Sequence, residues 1–166
     1  VKANEAIWEI AYKASNSDLQ AAYAQAEQNS RTIREFLVRN GFEQNQIFAG
    51  QMAVVENEFR ENGVLAELEY EISGSVLVTS TEVEKIYDAN QKTGELIGQG
   101  VVLTNSSPRY LFTKLNEIKP ELLREATRNA RLAAQEFAEN AGVKVGSIRS
   151  AMQGAFEVRD VGTGEY

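Results

Sequence analysis

Between Ala6 and Tyr12 the apolar side chains recur at every second residue, with Ala6, Trp8, Ile10 and Tyr12 on one face and Glu9 and Lys13 on the other. This period predicts a half-buried strand, whose apolar face must be covered by another element. A covering helix follows at once. Ser17-Asp18-Leu19-Gln20 fits a capping box, in which a hydroxyl and an amide satisfy two orphan N–H groups. Leu19, Ala22, Tyr23, Ala26, Ile33 and Leu37 then repeat at helical spacing, and Asn40-Gly41 supplies a left-handed stop, so the helix runs over 17–40.

The rest of the chain keeps alternating between the two periods. Ile47 to Val55 reads as a second strand and Ala66 to Val78 as a long third one, with the polar Glu56–Gly63 stretch as a hairpin connection that pairs them antiparallel. Thr81-Glu82-Val83-Glu84 is a second capping box. The helix it opens, with Val83, Ile86 and Tyr87 as its first apolar residues, is expected to reach Ile97 before Gly98 and Gly100. Val101–Leu103 and Tyr110–Phe112 are strand-like, and Pro108 between them predicts a bulged edge strand or a short hairpin. Pro120 sits where a first helical residue is favoured, and Leu123, Ala126, Ala130, Ala133, Phe137 and Ala141 then recur every three or four residues up to Gly142. This mostly alanine stripe would let the helix axis lie close to a sheet, and Val145–Ala151 is expected to return as a strand. The order β-α-β-β-α-β-α-β predicts an α+β fold, a mainly antiparallel sheet with helices packed on one face. It spans 1–166 as one domain, or as two small lobes sharing a core.

Composition closes many chemical routes. The 166 residues contain no histidine and no cysteine. Ser-His-Asp and Cys-His nucleophiles, thiolate chemistry, disulfides and His- or Cys-ligated zinc are therefore excluded. The 24 acidic residues outnumber the 17 basic ones for a net charge of −7, which repels phosphate backbones and argues against nucleic-acid partners.

Several constellations invite chemistry. Glu67, Glu69 and Glu71 alternate on the third strand, so their carboxylates share one face at intervals of about 7 Å, a weak candidate for a cation site against the plainer reading of a solvated face. Gly94-Glu95-Leu96-Ile97-Gly98-Gln99-Gly100 is glycine-rich but lacks the Walker and dinucleotide spacings, and helix termination accounts for it. Lys85, Lys92, Lys114 and Lys119 would need an apolar setting to act as nucleophiles, and none has one in sequence. Glu121–Arg124 and Glu125–Arg128 are i,i+3 pairs on a solvated helix face or a subunit contact. Trp8, Tyr12 and Tyr23 are expected in the core.

Five segments carry a family resemblance. Gln91-Lys92-Thr93-Gly94-Glu95-Leu96-Ile97, Gly100-Val101-Val102-Leu103, Tyr110-Leu111-Phe112-Thr113, Ile118-Lys119-Pro120-Glu121 and Ala126-Thr127-Arg128-Asn129-Ala130-Arg131 resemble the bacterial SIMPL-domain family, whose members include periplasmic immunogenic proteins. Lys2-Ala3-Asn4, Ala6-Ile7-Trp8, Phe36-Leu37, Asn40-Gly41-Phe42, Ser147-Ile148-Arg149 and Gln153-Gly154 extend the likeness over nearly the whole chain. The resemblance implies an α+β envelope protein exported across a Gram-negative inner membrane, with a tendency to self-associate. In its membrane-anchored branch an apolar anchor precedes the position of Val1, and the expectation is that the natural protein has one. Members continue past Gln153-Gly154 into a further strand, whereas Asp160–Tyr166 is glycine-broken here. An open sheet edge is the expected consequence.

The family brings no catalytic residues and no cofactor. Gln91, Lys92, Thr93, Glu95, Tyr110, Phe112, Arg128 and Asn129 match its most recognisable motifs and are the candidate interaction surface. The reading is thus a non-enzymatic periplasmic domain linked to envelope integrity and stress tolerance. It would act by homo-oligomerisation or by binding an envelope protein, with membrane attachment only through the N-terminal anchor. A small-ligand or glycan-binding module is the alternative, and a hydrolase using carboxylates alone is a weaker one.

Overall fold

The computed structural model describes residues 2–152 and 154, divided between two compact units, Val1–Thr113 and Lys114–Tyr166. The fold is α+β, and the first unit contains the antiparallel sheet. Its first strand, β1 (Glu5–Asn16), forms as the alternation predicts: Ala6, Trp8, Ile10, Tyr12 and Ala14 are buried while Glu9 and Ser15 are exposed.

Two further strands, β2 (Ile47–Ala49) and β3 (Ala53–Glu61), precede the longest one, β4 (Val64–Ser80). Strands β1 and β4 form the middle of the sheet, paired from Ala6 opposite Ser80 to Asn16 opposite Tyr70. On the far side of β4, β2 and β3 act as one border strand interrupted by a bulge. Ala49 faces Val76 and Ala53 faces Ser73, so Gly50, Gln51 and Met52 oppose only two residues of β4. Gly50 donates its N–H to the Ser75 carbonyl at 2.8 Å, and any Cβ there would collide with Ser75 Oγ. The expected strand 47–55 is therefore broken at 50–52, and it continues to Glu61.

The border beyond β1 has the same design. Here β5 (Val102–Asn105) and β6 (Pro108–Leu111) both pair with β1. Asn105 faces Ala11 and Leu103 faces Tyr12, which leaves Thr104 as the extra residue. Of the two expectations for this region, the bulged edge strand is the one that forms. Pro108 opens β6, where a missing donor is tolerated.

Helix α1 (Leu19–Arg39) covers the face of β1 and β4 that carries the even-numbered residues. Ile33, Phe36 and Leu37 are fully buried with Ile10, Ile72, Val76 and Val78, and Trp8 meets Phe36 edge-on at 6.4 Å. Buried Asn29 donates to the Lys13 carbonyl at 3.4 Å and accepts from Gln25 Nε2 at 3.0 Å, so this polar core residue is satisfied. The cap is Asp18 rather than Ser17: its Oδ1 accepts from the Ala21 N–H at 2.8 Å, and a carboxylate favours the positive end of the helix. Asn40 and Gly41 end the helix as expected, with Gly41 at φ +89°. Tyr23, expected in the core, is 53% exposed, because the buried stripe runs through the alanines Ala22 and Ala26.

The second predicted helix is two pieces, α2 (Val83–Asn90) and α3 (Gly94–Gly98). Thr93 Oγ1 donates to the Asn90 carbonyl and Lys92 N to the Ala89 carbonyl, closing tight turns where the ladder would have continued. The second capping box does not form. Glu82 occupies the cap without a side-chain bond to a backbone N–H of the helix, and its own N–H donates to Ser80 Oγ at 3.0 Å.

The second unit contains helix α4 (Leu115–Asn140), which starts five residues before Pro120. Pro120 is thus the sixth helical residue instead of the first, and the Asn116 carbonyl loses its usual N–H partner. Ala126, Ala130, Ala133 and Phe137 of the expected stripe are exposed, since the unit that holds α4 has no strand among the described residues for the stripe to pack on. The pairs Glu121–Arg124 and Glu125–Arg128 are not in ionic contact, and the α4 ion pair among the described residues is Lys114–Glu117 at 4.0 Å. No strand forms over Val145–Ala151, where Val145 and Ile148 lie exposed without a pairing neighbour. Gln153 and Asp160–Tyr166 lie outside the described residues.

Candidate functional site

The hairpin expected between the second and third strands forms, but it reaches much further than its sequence pattern predicts and projects as an arm. Pairing with β1 ends at Tyr70, so residues 64–69 of β4 have only β3 beside them among the described residues. The expected eight-residue connection is a two-residue turn. Asn62 (φ 49°) and Gly63 (φ 81°) take the left-handed conformations of a type I′ hairpin, between Glu61 and Val64. The signal was the Asn-Gly dipeptide, followed by apolar alternation at Leu68, Tyr70 and Ile72.

An arm of this kind has little to bury its apolar residues against. Val54, Val55, Phe59, Val64 and Leu65 are all exposed, between 47% and 70%. A bulge at Ala66 marks the tip, where Phe59 faces Glu67 and Arg60 faces Leu65. The regular part of β3, Ala53–Phe59, therefore lies between two bulges, and its outer edge has no strand beside it among the described residues.

Glu67, Glu69 and Glu71 line one face of this arm, as their alternation predicts, opposite Phe59, Asn57 and Val55. Glu71 accepts a hydrogen bond from Lys13 Nζ at 2.9 Å, and this carboxylate raises the Lys13 pKa above its ordinary value. No group of three carboxylates that could hold a metal ion occurs among the described residues.

A polar depression of about 660 Å³ lies between the end of α1 and α2, lined by Asn40, Glu82, Glu84, Lys85, Asp88 and Lys92 among others. Its lysines are already engaged. Lys85 Nζ donates to Glu82 Oε1 at 2.7 Å and to the Gly41 carbonyl at 3.2 Å, and lies 5.8 Å from the centre of the Phe42 ring. Lys92 Nζ donates to Asn40 Oδ1 at 3.2 Å. Both cations thereby hold the negative end of α1, a favourable place for them. No aromatic residue lines the depression.

The residues singled out in sequence fall in three places. Gln91, Lys92 and Thr93 form the link between α2 and α3, and Glu95 lies in the first turn of α3. Tyr110 and Phe112 are half-buried at the end of the β6 border, with α2 packed against β6; burial raises the Tyr110 pKa, as does its neighbour Tyr87. Arg128 and Asn129 are exposed on α4 in the other unit. Neighbouring motif residues serve packing. Trp8 Nε1 donates to Ser106 Oγ at 3.3 Å and Ser106 Oγ to Asn90 Oδ1 at 3.4 Å, while Asn4 and Thr113 exchange two 2.8 Å hydrogen bonds.

The chain belongs to the SIMPL family, described as a protein of unknown function (DUF541), which matches residues 1–162. No curated protein matches it. Among solved structures, the de novo designed protein Foldit4 is similar over 66% of this chain and 98% of its own, at 14% identity and a TM-score of 0.34, too low to inform the fold.

Proposed function

We propose that this SIMPL-family chain is a non-enzymatic domain of the bacterial cell envelope that works through protein contact, with its own copies or with another envelope component. Its place is the periplasm, held at the inner membrane in the full-length protein, in a role in envelope integrity or stress tolerance. The observation that carries the reading is the exposed apolar set Val54, Val55, Phe59, Val64 and Leu65, spread over both faces of a projecting arm, since apolar side chains that a two-stranded arm leaves uncovered are open to a partner. The absence of histidine and cysteine is in keeping with it.

Light scattering after size exclusion over a range of concentrations tests assembly, and photo-crosslinking from position 59 in cells tests contact with other proteins. A closed multimer, or a discrete crosslinked species in the envelope fraction, is expected. A single-chain mass at every concentration together with no crosslink overturns the reading, as does a turnover activity lost on changing one polar residue.

A further inference from the structure

The two borders of the sheet are not equally protected. On the β1 side the extra Thr104 and the donor-less Pro108 leave no regular run longer than four residues, which blunts that edge. On the β4 side, Ala53–Phe59 offers seven regular residues whose outer row of N–H and C=O groups has no partner strand among the described residues. Its side chains differ between the faces. Val55 and Phe59, each half exposed, flank Asn57 on one face, while Glu56 and Glu58 follow Val54 on the other with Arg60 already held by Glu58 at 2.7 Å.

We propose that this edge of β3 binds an extended segment of another protein by strand addition, and that the segment alternates basic with β-branched or aromatic residues. This deepens the protein-contact reading above and rests on it. Cross-strand neighbours decide the chemistry: lysine or arginine opposite Glu56 and Glu58, and an apolar side chain opposite Val55 and Phe59, are favourable pairs. Over residues 53–71 six glutamates face one arginine, so a basic segment is also drawn to the arm before it docks.

The same pairing rule disfavours a second copy as the occupant. In the two-fold register that centres on Asn57, Val55 meets Phe59 but Glu56 meets Glu58 twice; centring on Glu56 or Glu58 sets that carboxylate against itself. Like charges directly opposite are destabilising.

The test uses a synthetic nine-residue peptide alternating Lys and Val, titrated into the isotopically labelled protein and followed by amide chemical shifts. Shifts confined to Ala53–Glu61 are expected. Methylating alternate backbone nitrogens of the peptide should abolish them, because charge and composition stay while ladder donors go. Glu56→Lys with Glu58→Lys should weaken binding by about tenfold or more, and Glu56→Gln with Glu58→Gln by less. No shift at β3 with millimolar peptide, equal binding of the methylated peptide, or unchanged affinity in the lysine variant overturns the proposal. A protein that assembles or crosslinks yet ignores the peptide loses this inference alone; a monomer without crosslinks loses the broader reading too.

Discussion

The phenol of Tyr12 lies across Gly74, its cross-strand partner, so closely that a Cβ at position 74 would come 2.6 Å from the hydroxyl and 2.7 Å from Cζ. Tyr12 is 1% exposed, so it has little room to yield. Gly74→Ala should therefore destabilise the protein by about 1–3 kcal/mol through overpacking, read as a lower urea midpoint with an unchanged m-value. Wild-type stability in this variant would show that the ring can move.

The cap of α1 separates two neighbouring residues that look equivalent in sequence. Asp18→Ala removes the acceptor for the Ala21 N–H and should cost about 1 kcal/mol, whereas Ser17→Ala should change the thermal midpoint little. Equal losses would assign the cap wrongly.

At the tip of the arm, Gly63 holds φ +81° with open space around it, so the cost of a side chain there is conformational alone. Gly63→Ala should destabilise the hairpin by about 1 kcal/mol. Hydrogen exchange should show the loss at the amides of residues 57–69 while those of β1 keep their protection, because a two-stranded arm opens independently of the core.

Burial raises the Tyr12 pKa above 10.0, against a smaller opposing effect of the Ser30 hydrogen bond, and Glu71 raises that of Lys13 above 10.5. In both cases the unfolded chain releases its proton first. Their contributions are complete below the unfolded pKa values and fall as pH rises toward the folded ones. Chemical denaturation across the alkaline range should show stability dropping above about pH 10, with a shallower drop in Tyr12→Phe, which has no proton to lose at that position.

The sheet and first helix were legible where local pattern and tertiary context agreed. Trp8, Ile10, Ile33 and Leu37 lie where their periods put them. Two of the failures share one physical cause, that pairing partners decide what pattern alone cannot. Val145–Ala151 has a strand-like composition but no neighbouring strand to pair with. Glu56–Gly63 looks like a polar loop because Glu56, Glu58 and Glu61 are charged, yet β4 opposite holds it extended. Pro120 suits a helix start, and the turn before it proved helical as well. For the functional surface, Gln91–Glu95 and Tyr110 were singled out by motif, whereas the exposed arm announced itself only through Asn62-Gly63.

The two bulged borders have a consequence for how the chain finds its arrangement. In an unbroken strand Leu103 and Asn105 would share a face; here one lies with buried Tyr12 and the other with Ala11 on the reverse side. Ala49 and Ala53 are split in the same way across the opposite border. Sliding either strand by one residue would correct the phase of one half only by reversing the other. Each border thus works like a key cut with two offset teeth, which turns in a single position and makes misaligned sheets self-rejecting.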